Sequence, residues 1–220
     1  MPRVLSIAVL VSGEGTTLEA LAELAAHGKL PAQIVLVVAD RPEAPAIERA
    51  RRLGLPSIIL PSRGVAPADW SRRLTEELSA RGAELVLTAG FHSILPAEWV
   101  ARWRGRAINV HPSLLPRHGG RGMYGARVHR AVLAAGESES GATVHLVTDD
   151  VDAGPTIAQT RVRVRPDDTP DTLRARLHPV EVELLAETVR RFADGSLPLP
   201  YRADDDAAAG RRRDADDGRR

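Results

Sequence analysis

Asn109 and His111 are the residues of this chain whose types and spacing most directly suggest chemistry. They close a short apolar run, residues 107–110, and lead into Pro112-Ser113-Leu114-Leu115-Pro116. Two positions apart on an extended chain, their side chains project to the same side. A carboxamide is a neutral hydrogen-bond donor, and an imidazole holds or releases a proton near neutral pH. Converging at a strand end, the two can grip a carbonyl oxygen and stabilise negative charge as it develops there. Taken alone, Asn-x-His is more often a turn or capping element, so its weight depends on the sequence around it.

That sequence alternates short apolar runs with amphipathic stretches. Residues 5–11, 34–39, 58–60, 85–88 and 107–110 read as strands, and residues 17–26, 46–53, 68–81 and 97–102 as the helices between them. Near-continuous apolar strands separated by helices predict a Rossmann-like α/β fold, a mostly parallel sheet with helices on both faces. Such sheets bind ligands beyond the carboxyl ends of their strands. Asn109 and His111 fall at one such end. The stretch Ser12-Gly13-Glu14-Gly15-Thr16-Thr17 falls at another, where backbone N–H groups opening a helix can hold an anion. Gly-rich strand-to-helix turns are as often only turns, and this one lacks the Lys of a Walker loop.

After Gly125 the pattern changes. Val128, Val132 and Leu133 mark a short helix, and residues 142–147 and 157–164 read as two strands. The acidic turn between them contains Asp149, Asp150 and Asp152, which as a group read as solvated turn formers. Thr169 and Pro170 suit the cap and first position of a long final helix. Its apolar face would be Leu173, Leu177, Val180, Leu184, Leu185, Val189 and Phe192, and Pro179 should kink it or divide it. Residues 203–220 alternate Asp, Ala, Gly and Arg with nothing to bury, which predicts a disordered tail after a single domain of residues 1–202.

The 220 residues, 43% hydrophobic, suffice for one domain with a core. A formal net charge of +1 supplies no general field for nucleic acid. No run approaches the roughly 18 apolar residues of a membrane helix, and the first residues read as a strand rather than a signal peptide. The absence of cysteine excludes disulfides, thiolate catalysis and a Cys-based zinc site, and it fits a reducing compartment. A soluble, cytoplasmic protein with neither a nucleic-acid nor a membrane partner is expected.

The segment INVHPSLLP resembles the catalytic segment of the folate-dependent formyltransferases. VLVSGEGTTL, LVLTAGFHSIL and GATVHLVTDDVDAGPTIAQ match further segments of that family in order, and the resemblance covers roughly residues 4–200. HGGRGMYGARVHRAVL is similar to a variant that carries Gly-Met-Tyr-Gly between the two catalytic segments. The resemblance implies the formyltransferase fold with its C-terminal strand pair and long helix. It also implies formyl transfer from 10-formyltetrahydrofolate to the amine of glycinamide ribonucleotide, a step of purine synthesis, by a monomer or homodimer that needs no metal.

Site residues follow from the same resemblance. Asn109, His111 and Asp152 become the catalytic residues, with Asp152 near His111, where a carboxylate favours the imidazolium and raises its pKa. Gly15, Thr16 and Thr17 would hold the phosphate of the ribonucleotide. Glu14 departs from the family pattern, since a carboxylate repels phosphate, and its side chain is expected to point away. His92, Ser93, Ile94 and Leu95, chiefly through their backbone, would form the folate pocket with Asn109, Thr148, Asp149, Asp150, Val151 and Asp152. Glu181 would lie beside the glycinamide portion. His145 either lines the site or is a buried core histidine, while His118 and His129 receive no role. The same core could instead formylate an amino sugar or hydrolyse the formyl folate. A folate- or nucleotide-binding regulator is disfavoured because Asn109, His111 and Asp152 are all present.

Overall fold

The computed structural model describes residues 3–201, so the tail predicted for residues 203–220 lies outside the described residues. The elements run β1 (Leu5–Val11), α1 (Thr16–Ala26), β2 (Ala32–Ala39), α2 (Pro45–Arg52), β3 (Ser57–Ile59), α3 (Pro67–Ala80), β4 (Leu85–Thr88), α4 (Ala97–Arg102), β5 (Ala107–His111), α5 (Ala126–Ala134), β6 (Glu139–Leu146), β7 (Thr156–Arg163) and α6 (Pro170–Ala193). The strands form one sheet in the order β3-β2-β1-β4-β5-β6-β7. From β3 to β5 all pairs are parallel. β6 and β7 then join antiparallel, with Asn109 of β5 opposite His145 of β6.

β1 shows why the apolar runs are nearly continuous. Leu5, Ile7, Val9 and Val11 face one layer with Leu18 and Leu21 of α1 and with Leu185, Val189 and Phe192 of α6. Ala8 and Leu10 face the other, with Trp70, Leu74 and Leu78 of α3 and Trp99 of α4. A strand buried on both sides has no polar alternation to show. Strand order reverses between β1 and β4, and the crevice at that switch point opens beyond their carboxyl ends.

Pro179 does not divide the final helix. α6 runs through it as one element of 24 residues. Leu173 and Leu177 before the proline pack with Val132 of α5, while Leu185, Val189 and Phe192 after it are held in the main core. Packing at both ends outweighs the local loss of one backbone hydrogen bond. The buried face turns across the proline: Val182 and Ala186 are buried, whereas Val180 and Leu184 are only half-buried. At its start, the Thr169 hydroxyl accepts the Thr172 N–H (3.2 Å) and the Thr172 hydroxyl accepts the Thr169 N–H (2.9 Å), with Pro170 in the first turn.

The turn after β6 is fixed by close packing. A Cβ on Gly154 would lie 1.9 Å from the Leu146 carbonyl oxygen, so no side chain fits there. The Leu146 N–H donates to the Pro155 carbonyl across the turn (2.9 Å), and the Thr148 hydroxyl donates to the Asp150 carbonyl (3.0 Å). Asp152 is held between these contacts in a left-handed conformation, φ 58°. We predict that Gly154→Ala lowers the unfolding free energy by about 1–3 kcal/mol, the range for overpacking a close-packed position. Urea titration of the two proteins measures this, and equal midpoints would mean that the turn yields freely.

Candidate active site

Two adjoining pockets open at the carboxyl ends of β1, β4 and β5, and they share Phe91, His92 and Asn109. The first is lined by residues 13–17, by His111 and His129, and by Arg174, His178 and Glu181 of α6. The second is lined by Ser93, Ile94, Leu95 and Val147, by His145, and by residues 148–152. The structure therefore gathers every residue given a site role from the sequence around one crevice, with Asn109 at the junction.

Asn109 is oriented from both sides. Its Oδ1 accepts the hydroxyl of the buried Thr88 (2.7 Å), and its Nδ2 lies 3.0 Å from His145 Nε2. The other ring nitrogen of His145, Nδ1, is 2.8 Å from the Leu146 carbonyl oxygen and must donate to it. With Nδ1 the donor, Nε2 accepts one N–H of Asn109. The second N–H of the amide remains for a ligand. His145 is thus both buried and in contact with Asn109, a pairing set by the β5–β6 register.

His111 is 3% exposed. Its Nε2 donates to the His118 carbonyl (2.9 Å), and its Nδ1 faces Asp152 Oδ2 at 3.5 Å. Two acceptors around one ring favour the imidazolium, as expected for Asp152. Burial nevertheless dominates and holds the His111 pKa below its ordinary value, against the upward pull of Asp152 and the His118 carbonyl. The expected rise is therefore corrected to a net fall, because a sequence carries the charge partner but not the desolvation. For Asp152 the balance runs the other way. Burial pushes its carboxyl up, but the charge of His111 and the Gly120 N–H (2.9 Å to Oδ2) hold it below the usual carboxylate range.

The loop before α1 has Gly15 in the left-handed conformation at the N-cap (φ 73°), with no side chain capping the first-turn N–H groups. Here only glycine fits, since a Cβ would meet Ala46 Cβ at 2.7 Å. Glu14 is exposed and its carbonyl accepts from Arg49 Nε (2.9 Å). Across the pocket, Arg174, His178 and Glu181 lie at steps of four and three on one face of α6. The sequence reading reached Glu181 alone, although this spacing was visible in it. His178 Nε2 is 3.5 Å from the Thr17 hydroxyl. Burial pushes the Glu181 carboxyl up to about 7 against the pull of Arg174, and pushes the buried His129 down to about 4, reinforced by Arg174 and His111. The Gly-Met-Tyr-Gly segment also reaches this pocket. Met123 and Tyr124 line it, and the Tyr124 ring packs on His92 with centroids 4.4 Å apart. Among the described residues no group of three or more His, Cys, Asp or Glu is placed to hold a metal ion, and no helix is long and apolar enough to cross a membrane.

Residues 5–189 match the formyl transferase family. The chain is 40% identical over 179 residues to the trifunctional purine biosynthetic protein adenosine-3 of Drosophila melanogaster, covering 80% of this chain but 13% of that protein. It is 33% identical over 196 residues to the phosphoribosylglycinamide formyltransferase of Escherichia coli, covering 89% of this chain and 90% of that one. Its fold is similar to that of glycinamide ribonucleotide transformylase 1 from Symbiobacterium toebii, with a TM-score of 0.82, 34% identity, and coverage of 89% and 91% of the two chains.

The displaced pKa values carry a sign for stability. The folded chain keeps His129 neutral down to about pH 4, while the unfolded chain takes up that proton near 6.5, so stability falls as pH drops between the two. Glu181, raised from 4.5 to about 7, acts oppositely: its contribution is present below 4.5 and is lost as pH rises through 7. In urea unfolding from pH 4 to 8, His129→Gln should flatten the acid limb and Glu181→Gln the neutral limb. A variant whose profile matched the wild type would show that its group titrates as it does in solvent.

Proposed function

The chain belongs to the formyl transferase family, and on that footing we propose that it transfers the formyl group of 10-formyltetrahydrofolate to the amine of 5'-phosphoribosylglycinamide, giving formylglycinamide ribonucleotide in purine biosynthesis. The observation that carries this reading is the position of Asn109, on the wall common to the two pockets. One pocket opens on the uncapped helix start at Gly15, Thr16 and Thr17, suited to a phosphate. The other offers exposed Ile94 with half-buried Leu95, Val147 and Val151, suited to the apolar faces of a pterin. His92, Ser93, Thr148, Asp149, Asp150 and Asp152 complete the folate side, and Glu181 accepts from the glycinamide portion.

The amine attacks the formyl carbon, and the carbonyl oxygen becomes an oxyanion. Collapse of this tetrahedral intermediate breaks the bond from the formyl carbon to N10, and the proton lost by the amine passes to N10 of the departing tetrahydrofolate. The free N–H of Asn109 donates to it, held in aim by Thr88 and His145. Burial inclines His111 to its neutral form. The oxyanion, added to the pull of ionised Asp152, draws it to the imidazolium, whose charge then offsets that of the oxyanion. Both His111 nitrogens already face protein acceptors, so its part is electrostatic while the His118 contact lasts, and proton transfer through Nε2 requires that contact to open. All these groups come from one chain, so the reading is complete in a monomer and equally in a homodimer. Small-molecule substrates and a cytoplasmic setting belong to the same proposal.

Purified protein mixed with both substrates should release tetrahydrofolate, followed by absorbance, only when the ribonucleotide is present. Release without acceptor would identify a hydrolase instead. Folate binding without release would identify another amine acceptor, such as an amino sugar, or a regulator. His111→Ala and Asp152→Asn should retain substrate binding and lose about 10²–10³ in turnover, the usual cost of removing one electrostatic stabiliser of an oxyanion. Near-wild-type turnover in either variant would remove its assigned role.

A further inference from the structure

Each of the three strands on one side of β4 is followed by a polar side chain, and all three converge on the segment that follows β4. Ser12, past β1, accepts the His92 N–H at 2.8 Å, and its own N–H donates to the Gly90 carbonyl at 3.1 Å. Asp40, past β2, accepts the Ser93 hydroxyl at 2.5 Å. Ser62, past β3, lies 2.7 Å from the same Ser93 oxygen. Ser93 has one hydroxyl proton and gives it to the carboxylate, so Ser62 is the donor in the second contact. The Asp40 side chain is 1% exposed, and its other oxygen is faced by Arg41 Nε at 3.4 Å.

An acid at the end of the second strand, after a glycine-rich first turn, is where dinucleotide-binding sheets hold a ribose. The Asp40 carboxylate is buried and already engaged by Ser93 and Arg41, so it is not presented to a sugar. Ser93 in turn lines the second pocket with Ile94 and Leu95. We infer that Asp40 is a positioning residue of the folate site: through Ser93, and with Ser62 as a second tether, it fixes the backbone of residues 92–95 against which the pterin lies. A buried charged acceptor suits this task, because a hydrogen bond to an ionised group is stronger than a neutral one and aims the Ser93 hydroxyl in one direction. The inference rests on the folate reading of that pocket.

The test compares wild type, Asp40→Ala, Asp40→Asn, Ser93→Ala and the Asp40→Ala/Ser93→Ala double variant. Steady-state kinetics are scanned in each substrate, and tetrahydrofolate binding is measured by calorimetry. Asp40→Ala and Ser93→Ala should each raise the KM for 10-formyltetrahydrofolate and the Kd for tetrahydrofolate about tenfold, as for one lost hydrogen bond to a charged group. KM for the ribonucleotide and kcat should stay at wild-type values. The double variant should bind no more weakly than Ser93→Ala, since the serine change already removes the bond to Asp40. Asp40→Asn keeps an oxygen that accepts the Ser93 hydroxyl and should recover most of the affinity. A rise in the ribonucleotide KM instead would assign Asp40 to the nucleotide and overturn the inference. So would folate affinity unchanged in the variants, or losses in both substrates that track a lower melting temperature. A wild-type protein that bound no tetrahydrofolate would overturn the folate reading first, and this inference with it. Ser93→Ala changes only a half-buried hydroxyl, so it remains a test even where Asp40→Ala fails to fold.

Discussion

The antiparallel pairing of β6 with β5 is the constraint on which the site depends. Its register sets His145 beside Asn109, so that one imidazole fixes the direction of the amide. The same strand then ends in the turn that returns Asp152 to His111 and His145. A slip of one residue would invert every side chain of β6 and separate the whole group. The register is secured by burial: Val144 and Leu146 belong to the core of one sheet face. The chemistry is therefore held in place by apolar packing a few residues away from it.

Within the site, burial and charge compete, and each wins at different residues. Desolvation prevails at His111, His129 and Glu181, moving each toward its neutral form. At Asp152 the donors prevail and the carboxylate stays charged. A half-buried anion beside a histidine inclined to neutrality creates a site where the arrival of a ligand's charge can decide protonation.

Much of this was legible in the sequence, for identifiable reasons. β1, β4 and α4 carry the bounds predicted for them, because each is a short apolar or amphipathic run with Gly, Pro or a charged residue within two positions of its ends. Part of the lining of the two pockets was readable because the family resemblance tied Asn109, His111 and Asp152 to one crevice. What was missed depends on distant segments meeting. Thr88 orients Asn109 from 21 residues away, and Asp40 meets Ser93 across 53. His178 and Arg174 were visible as helical neighbours of Glu181, but only the position of α6 over the loop before α1 gives that spacing meaning. The division expected at Pro179 failed because local propensity yields to two packed flanks.

The wall common to both pockets bears on rate as well as on recognition. Under the proposed reading, the amine and the formyl carbon are confined side by side as soon as both pockets are filled. The translational and rotational entropy of their meeting is then surrendered during binding rather than at the barrier. Well-oriented groups held in this way reach effective molarities on the order of 10⁵–10⁸ M. A site that supplies so much by juxtaposition needs little more than one aimed N–H and one nearby charge, and that is close to what Asn109 and His111 provide.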